Sequence, residues 1–260
     1  METIQRSRGA DLHFHLLAGL DDGPATTAES LELARAAVED GTGTVVATPH
    51  VRGDFVTDVR ELPDQVRELQ GLLDAERIPL CVRCGGELGH DMVGRLSQQE
   101  LETIAQGPPD GRWLLVEAPF QGFGEGFHLA TAELRERGFA VVIAHPERSA
   151  DACLDGSAGL RRELRDGALG QLNALSLTGG HGRDSEQAAF RLVDEGLAAI
   201  VGSDAHGPTR PPALVKALRS LLGRGVDPGV ARALTASGPR RLLARGVPRH
   251  PAPERPLLAA

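Results

Sequence analysis

The run Ala140-Val141-Val142-Ile143-Ala144-His145-Pro146-Glu147-Arg148 decides the fold. Its first part is an unbroken apolar, β-branched stretch of strand length, so a strand built from it must be covered on both faces. It stops abruptly at a histidine, a proline and two charged residues. Reading outward from this run, the same plan recurs at residues 10–14, 44–48, 80–83, 113–117, 170–174 and 198–202. Helical periodicity fills the gaps at 28–40, 62–76, 94–105, 125–137, 160–166, 185–195 and 212–222. The first helix opens on a capping box, Thr26-x-x-Glu29, carries Leu31, Ala34 and Val38 on one side, and stops at Gly41. Seven strands, each followed by a helix, predict a parallel sheet with right-handed crossovers. Closing that sheet covers both its edges, so the expected fold is α/β, a distorted TIM-like (β/α)7 barrel. A last helix spans 229–244. Residues 1–245 read as one domain, and Pro248, Pro251, Pro253 and Pro256 mark 246–260 as a surface tail, expected to be poorly ordered.

Composition agrees with one soluble barrel. The chain has 260 residues, close to the ~250 of a typical barrel. Hydrophobic residues at 41% and charged residues at 25% exclude wholesale disorder. With 28 Lys and Arg against 36 Asp and Glu, the net charge is −8, which argues against nucleic acid and anionic membrane surfaces as partners. No apolar run approaches the ~20 residues of a membrane span, and residues 1–10 are polar with no hydrophobic leader, so the chain reads as cytoplasmic. Cys81 and Cys84 form a lone CxxC with no second pair, and Cys153 stands alone, as expected of free thiols in a reducing compartment.

The chemistry lies where the strands end. His13 and His15 close the first strand two residues apart, within reach of one ion. His50 follows the second strand and Glu87 the third; Glu117 ends the fourth, His145 follows the fifth, and Asp204 with His206 follows the seventh. In a parallel barrel all these ends share one face, where active sites of this architecture are built. So many buried carboxylates and imidazoles need cations to offset them, and divalent metals supply the charge.

The motifs Asp11-x-His13-x-His15, Ala47-Thr48-Pro49-His50, Gly85-Gly86-Glu87, Leu115-Val116-Glu117, Ala144-His145-Pro146-Glu147-Arg148 and Ser203-Asp204-Ala205-His206 resemble the polymerase-and-histidinol-phosphatase (PHP) domain. Within it the chain is most similar to the manganese-dependent protein-tyrosine phosphatases of bacterial capsule and exopolysaccharide loci (CpsB/CapC-like). Further matching stretches are Gly19-Leu20-Asp21-Asp22-Gly23-Pro24, Asn173-Ala174-Leu175-Ser176-Leu177 and Pro239-Arg240-Arg241-Leu242-Leu243. Ser149 stands where the resembled subfamily usually has an aromatic. The resemblance implies a distorted seven-stranded barrel and a site for three ions, Mn²⁺ in the first place, with Fe or Zn²⁺ compatible with the same donors. It assigns His13, His15, Glu87 and Asp204 to the first ion. Glu87 would bridge to a second, completed by Glu117 and His145, while Asp22, His50 and His206 would hold the third. The implied substrate is a phosphotyrosine protein, such as a bacterial tyrosine kinase of polysaccharide synthesis.

Arg148 and Arg210 stand beside ligand positions and are candidate phosphate clamps. Phe120 and Phe123, with Phe127 close by, are candidates to wall a substrate ring; burial against the neighbouring helix is the competing reading. A phenolate leaves more readily than an alkoxide, so no general acid is assigned, and His90, His128, His181 and His250 receive no role. Asp11 is read as orienting a ligand rather than binding an ion.

A cysteine-based phosphatase is excluded. It requires an arginine six residues after the cysteine, where Glu87, His90 and Gly159 stand. No phosphate-binding Gly-x-x-x-x-Gly-Lys occurs. Lys216, the one lysine, lies in a late helix, which argues against the many amidohydrolases that bridge their ions with a modified lysine at a strand end; lysine-free amidohydrolases stay open. Two further alternatives stay open: hydrolysis of a small phosphoester such as histidinol phosphate or a nucleotide, and a non-catalytic barrel that binds phosphoprotein.

Overall fold

The computed structural model describes residues 9–153 and 157–247. The Pro-rich tail from residue 248, including His250, lies outside the described residues. Strands β1 (Gly9–Phe14), β2 (Thr42–Ala47), β3 (His50–Val51), β4 (Cys81–Cys84), β5 (Glu87–Leu88), β6 (Trp113–Glu117), β7 (Ala140–Ala144), β8 (Leu169–Asn173) and β9 (Ala198–Gly202) alternate with helices. These are α1 (Thr27–Glu39), α2 (Leu62–Ala75), α3 (Gln98–Ile104), α4 (Glu125–Glu136), α5 (Ala150–Cys153), α6 (Ala158–Arg165), α7 (Arg183–Asp194), α8 (Leu214–Gly223), α9 (Pro228–Arg232) and α10 (Gly238–Arg245).

All strand pairs are parallel, in the orders β1-β2-β4 and β3-β5-β6-β7-β8-β9. The two ladders are halves of one barrel, because two expected strands are each broken in the middle. After β2, Pro49 has no amide to continue the ladder, and pairing resumes as β3. After β4, Gly85 and Gly86 make the matching break before β5. A Cβ on Gly85 would lie 2.4 Å from Val46 Cγ1, and one on Gly86 2.8 Å from Val51 Cγ2, so only glycine permits this approach. The kinked staves stay in step: Glu87 N donates to Pro49 O (3.0 Å), and His50 pairs with Glu87.

The remaining seam closes between the chain's first strand and the segment after its last. Phe14 and Ala205 form a parallel bridge, Asp204 N donates to His13 O (2.9 Å), and His15 N donates to Ala205 O (2.9 Å). The result is a distorted (β/α)7 barrel. Ala10, Leu12, Val46, Trp113, Leu115, Val142, Ala144 and Ile200 fill its interior together with Leu242 of α10, while the larger apolar cluster lies between staves and helices.

Several helices depart from the predicted pattern for identifiable reasons. Thr26 caps α1 through Glu29 N, but Glu29 reaches Ala25 N rather than Thr26 N, and the buried stripe is Ser30, Leu33, Ala34 and Ala37. Leu31 and Val38 flank that stripe, which small residues occupy where the helix approaches the sheet. The stretch 94–105 is two pieces: a 3-10 turn His90–Arg95, then α3, started by a full capping box of Ser97 and Glu100. The stretch 229–244 is broken by a π-helical turn, Ala233–Ser237, where a Cβ on Gly238 would lie 2.3 Å from Ala233 O. Among the described residues no helix is long and apolar enough to cross a membrane.

Candidate metal centre

Strict alternation in β1 would send Asp11 to the side of His13 and His15. The register against β2 instead slips between Asp11 and Phe14, as in a β-bulge. Leu12 joins the interior cluster and both imidazoles meet at the mouth. The Asp11 carboxylate accepts from Ser203 N (3.1 Å) and His13 N (3.3 Å), tying the bulge to the segment after β9. Burial pushes its carboxyl up to about 6. His145 and Asp204 both sit in the left-handed region, at φ 35° and 53°, so the chain turns sharply at two site residues.

Among the described residues the donor atoms fall into three overlapping groups: His13, His15, Glu87 and Asp204; His15, Asp22, His50 and His206; and His50, Glu87 and Glu117. In the first, His13 Nε2 lies 3.2 Å from Glu87 Oε2 and 3.3 Å from Asp204 Oδ1. His15 Nε2 lies 3.4 and 3.3 Å from the same two oxygens and 3.3 Å from His13 Nε2. A tetrahedron with bonds of ~2.1 Å has edges of ~3.4 Å. The spacing therefore fits four donors around one small cation. Glu87 Oε2 and Asp204 Oδ1 are buried without a hydrogen bond, as are His50 Nδ1, His145 Nδ1 and His206 Nε2. Orphaned lone pairs at such density are what a cation would satisfy.

Glu87 faces two ways. Its Oε2 belongs to the first group and approaches His50 Nδ1 (3.0 Å), while Oε1 meets His145 Nε2 (2.8 Å). Glu117 is gathered with Glu87 and His50, at 3.9 Å from His50 Nδ1. Asp22 Oδ1 lies 3.4 Å from His50 Nε2 and 3.2 Å from His206 Nε2. His15 joins this group too, stacked on His206 with ring centroids 3.7 Å apart. The structure thus brings together all nine residues expected as ligands: His15, His50 and Glu87 are each shared between two groups, and His145, in none of the three, joins through Glu87.

The arginines stand at the rim in ion pairs. Arg148 Nη1 is 3.4 Å from Asp204 Oδ2, and Arg210 pairs with Asp22. Phe120 is half exposed, stacked parallel to His145 at 6.0 Å, with the Arg148 guanidinium 4.9 Å from its ring. Ser149 Oγ donates to Pro119 O (2.9 Å) and Ala150 N to Phe120 O (2.9 Å), pinning this loop. Phe123 is a correction. The left-handed turn at Gly122 (φ 113°) and the bond from Phe123 N to Asp151 (2.8 Å) direct its ring inward, edge-on to Phe127, so it belongs to the core and not to the site wall.

Other residues act here without a role predicted from sequence. Asp21 Oδ2 lies 2.6 Å from His15 Nδ1 and accepts from His50 N (3.0 Å); Gln171 Oε1 lies 2.8 Å from His13 Nδ1. Asn173 Nδ2 donates to Asp204 Oδ2 (2.8 Å). These partners fix ring tautomers and carboxylate orientation. Arg52 holds Glu117 (3.0 Å) with one arm and Asp54 (3.0 Å) with the other. The stretches Gly19–Pro24 and Asn173–Leu177 were the available signals for Asp21 and Asn173; Gln171 and Arg52 gave none.

Burial alone would favour neutral imidazoles, yet the carboxylates outweigh it. Glu87 and Asp204 raise His13; Asp204, Asp21 and Glu87 hold His15 well above its ordinary value; Asp22 and Glu87 push His50 up to about 10. Despite burial, the facing imidazoles hold Glu87 and Asp204 well below the carboxylate range. In metal-free protein, protons on His13, His15 and His50 thus take the place of cations, whereas burial keeps His206 below its ordinary value. The raised histidines contribute stability that is complete below pH ~6.5 and is lost as pH rises through their folded values, about 10 for His50. The depressed carboxylates contribute above pH ~4 and lose that contribution as pH falls further. Metal-free protein is therefore expected to melt at its highest temperature near pH 5–6.5 and progressively lower from pH 6.5 to 10. With a saturating divalent cation, which competes with those protons, the decline should shrink or reverse. Differential scanning fluorimetry across this range checks it, and a metal-free Tm that climbs with pH would contradict it.

A parallel barrel that gathers imidazoles and carboxylates at its C-terminal mouth is of the class that works through bound divalent cations. Residues 9–244 match the family described as capsular polysaccharide synthesis, CpsB/CapC, and the chain belongs to that family. It is 34% identical to the tyrosine-protein phosphatase YwqE of Bacillus subtilis over 75% of this chain and 76% of that one. It is 24% identical to the tyrosine-protein phosphatase CpsB of Streptococcus pneumoniae over 90% and 97%. A crystal structure from work on these two proteins, described as unique metal-dependent tyrosine phosphatases, superposes with a TM-score of 0.80 at 30% identity, covering 95% of this chain and 99% of that one. The phosphotriesterase homology protein of Escherichia coli shares the fold alone, with a TM-score of 0.58 at 14% identity over 90% and 98%.

Proposed function

We propose that this chain is a metal-dependent protein-tyrosine phosphatase. Its substrate would be a cytoplasmic phosphotyrosine protein, such as a tyrosine kinase of polysaccharide synthesis. The observation that carries the reading is the first group of donors, spaced for one cation and joined through the two-faced Glu87 to His145 and Glu117. His13, His15, Glu87 and Asp204 would hold one ion, Glu87, Glu117 and His145 a second, and Asp22, His50 and His206 a third, with Mn²⁺ the ion proposed. When bound, such ions supply Lewis acidity, making water a stronger nucleophile and offsetting charge on the phosphoryl oxygens.

The remaining work falls to the chain. Arg148 and Arg210, part-exposed at the rim, would turn from Asp204 and Asp22 to grip phosphoryl oxygens, each able to offer a planar fork. Phe120 offers a flat apolar wall beside His145 for the phenyl ring. Next to it a cavity of about 320 Å³, bounded by Arg52, Asp54, His90, Asp91, Glu117 and Phe120, reaches down to a site carboxylate. That is within the ~300–1,000 Å³ range of ligand pockets, at its lower end.

The test is a substrate panel run with Mn²⁺. A phosphotyrosyl peptide should be hydrolysed with kcat/KM at least about tenfold above histidinol phosphate and nucleotides; the reverse ranking would move the assignment to a small phosphoester, and no turnover at all to a binding protein. In the same assay Arg148→Ala should raise KM by about ten- to a hundredfold, the loss of ~1.5–3 kcal/mol from a charge-assisted pair, with a smaller change in kcat. Unchanged kinetics would return Arg148 to a surface ion pair.

A further inference from the structure

The cavity beside the metal centre is bounded by three loops that follow neighbouring staves. Arg52 stands after β3, Gly89 after β5 and Phe120 after β6. The strand order β3-β5-β6 sets the first and third of these loops on either side of the second. Glu117, which ends β6 and belongs to the donor groups, is where the cavity meets the site. An apolar cavity of about 150 Å³ suffices for benzene, and this one, at about 320 Å³, has room for a phenyl ring and the methylene that ties it to a peptide.

Phe120 gives this cavity one flat apolar wall, and Arg52 gives it another of a different kind. Arg52 Nε and Nη2 pair with the two oxygens of Asp54 (3.1 and 3.0 Å), while Nη1 reaches both oxygens of Glu117 (3.3 and 3.0 Å). These donors all lie in the plane of the guanidinium. With carboxylates held on two sides in that plane, what Arg52 still offers a ligand is its face. The side chain is supported from below, since a Cβ on Gly89 would lie only 2.7 Å from Arg52 Cγ. Phe55 N donates to Arg52 O (3.1 Å), and the Phe55 ring lies 5.8 Å from the guanidinium carbon and 5.2 Å from the His50 ring on which it stacks. The loop after β3 is thereby built onto the metal centre.

Resting on the phosphatase reading above, we propose that this cavity is the slot for the substrate's aromatic ring, with Phe120 on one side and the guanidinium face of Arg52 on the other, and that Arg52 selects aryl over alkyl phosphates. A guanidinium over the negative face of a ring gains an attraction that an alkyl chain cannot return. Arg52 and Phe120 then act on the ring, while Arg148 and Arg210 act on the phosphoryl group at the inner end.

The experiment is titration calorimetry of the Mn²⁺-loaded protein with phenylphosphonate and methylphosphonate, which share a headgroup, differ in the ring and are not hydrolysed. Wild type should bind phenylphosphonate at least about tenfold more tightly, and Arg52→Ala should weaken phenylphosphonate about tenfold and methylphosphonate by less than about twofold. Arg52→Lys keeps the charge without the flat face and should recover little of the loss. Phe120→Ala should give the same pattern from the other wall, so the test stands even if the Arg52 variants fail to fold. A wild type with no preference for the ring, equal losses on both ligands in Arg52→Ala, or full recovery in Arg52→Lys would overturn the proposal while leaving the phosphatase reading intact. Equal losses would return Arg52 to a holder of Glu117. A wild type that binds both phosphonates and hydrolyses no aryl phosphate would instead remove the phosphatase reading, and the substrate slot with it.

Discussion

Asp204→Asn is expected to lower kcat/KM on a phosphotyrosyl peptide by about a thousandfold or more, ~4 kcal/mol of transition-state stabilisation, in a barrel that remains folded. Asp204 Oδ1 lies 3.3 Å from both His13 Nε2 and His15 Nε2, and no hydrogen bond satisfies it. The substitution removes the negative charge that, with Glu87, draws a cation between the two imidazoles. Asparagine is the informative replacement because the backbone at 204 is left-handed (φ 53°), a conformation asparagine tolerates and alanine does not. Its amide oxygen can still accept from Asn173 Nδ2, so the local hydrogen bonding survives. Metal content per chain should fall alongside activity, and circular dichroism should not change. Wild-type turnover in this variant would dissolve the proposed centre.

Stripping the ions with EDTA is expected to abolish turnover and also to lower Tm. A ligand present at a hundred times its Kd contributes ~2.7 kcal/mol, which for a chain of this size corresponds to roughly 5–10 °C. Readdition of Mn²⁺ should restore both properties. The two readouts guard against a trivial outcome, since a chelator that merely inhibited would leave the melting temperature of a truly metal-free protein where it was. Full activity after exhaustive chelation, or inactivation by thiol reagents instead, would contradict the metal assignment. Cys81, Cys84 and Cys153 are free thiols, and burial lifts Cys84 to about 11, far from the thiolate a nucleophile needs.

The barrel was legible because its signal is short-range. A strand such as Ala140–Ala144 is apolar on both faces, and the polar residue that follows it marks which end carries the chemistry. The same logic found His13, His50, Glu87, Glu117 and Asp204. What escaped was long-range. The slip in β1 depends on the fit to β2, and the breaks at Pro49 and Gly85-Gly86 on how closely two staves approach. Gln171 and Arg52 look like ordinary polar residues until the folded chain sets them against His13 and Glu117. Phe123 misled because aromatic residues close in sequence need not share a surface: a glycine turn and one aspartate sent it inward and left Phe120 at the rim.

Phe14 and Ala205 meet where His13 and Asp204 also meet, so the junction that completes the barrel is the junction that completes the first proposed cation site. On the ribosome, the emerging chain displays His13, His15 and Glu87 long before the segment carrying Asp204 and His206 has been synthesised. An unfinished or truncated product therefore presents only a partial, open set of donors, and full affinity arrives together with the last stave. Capture of an ion at the proposed site would thereby report that the first strand and the segment after the last have both been made and have found each other.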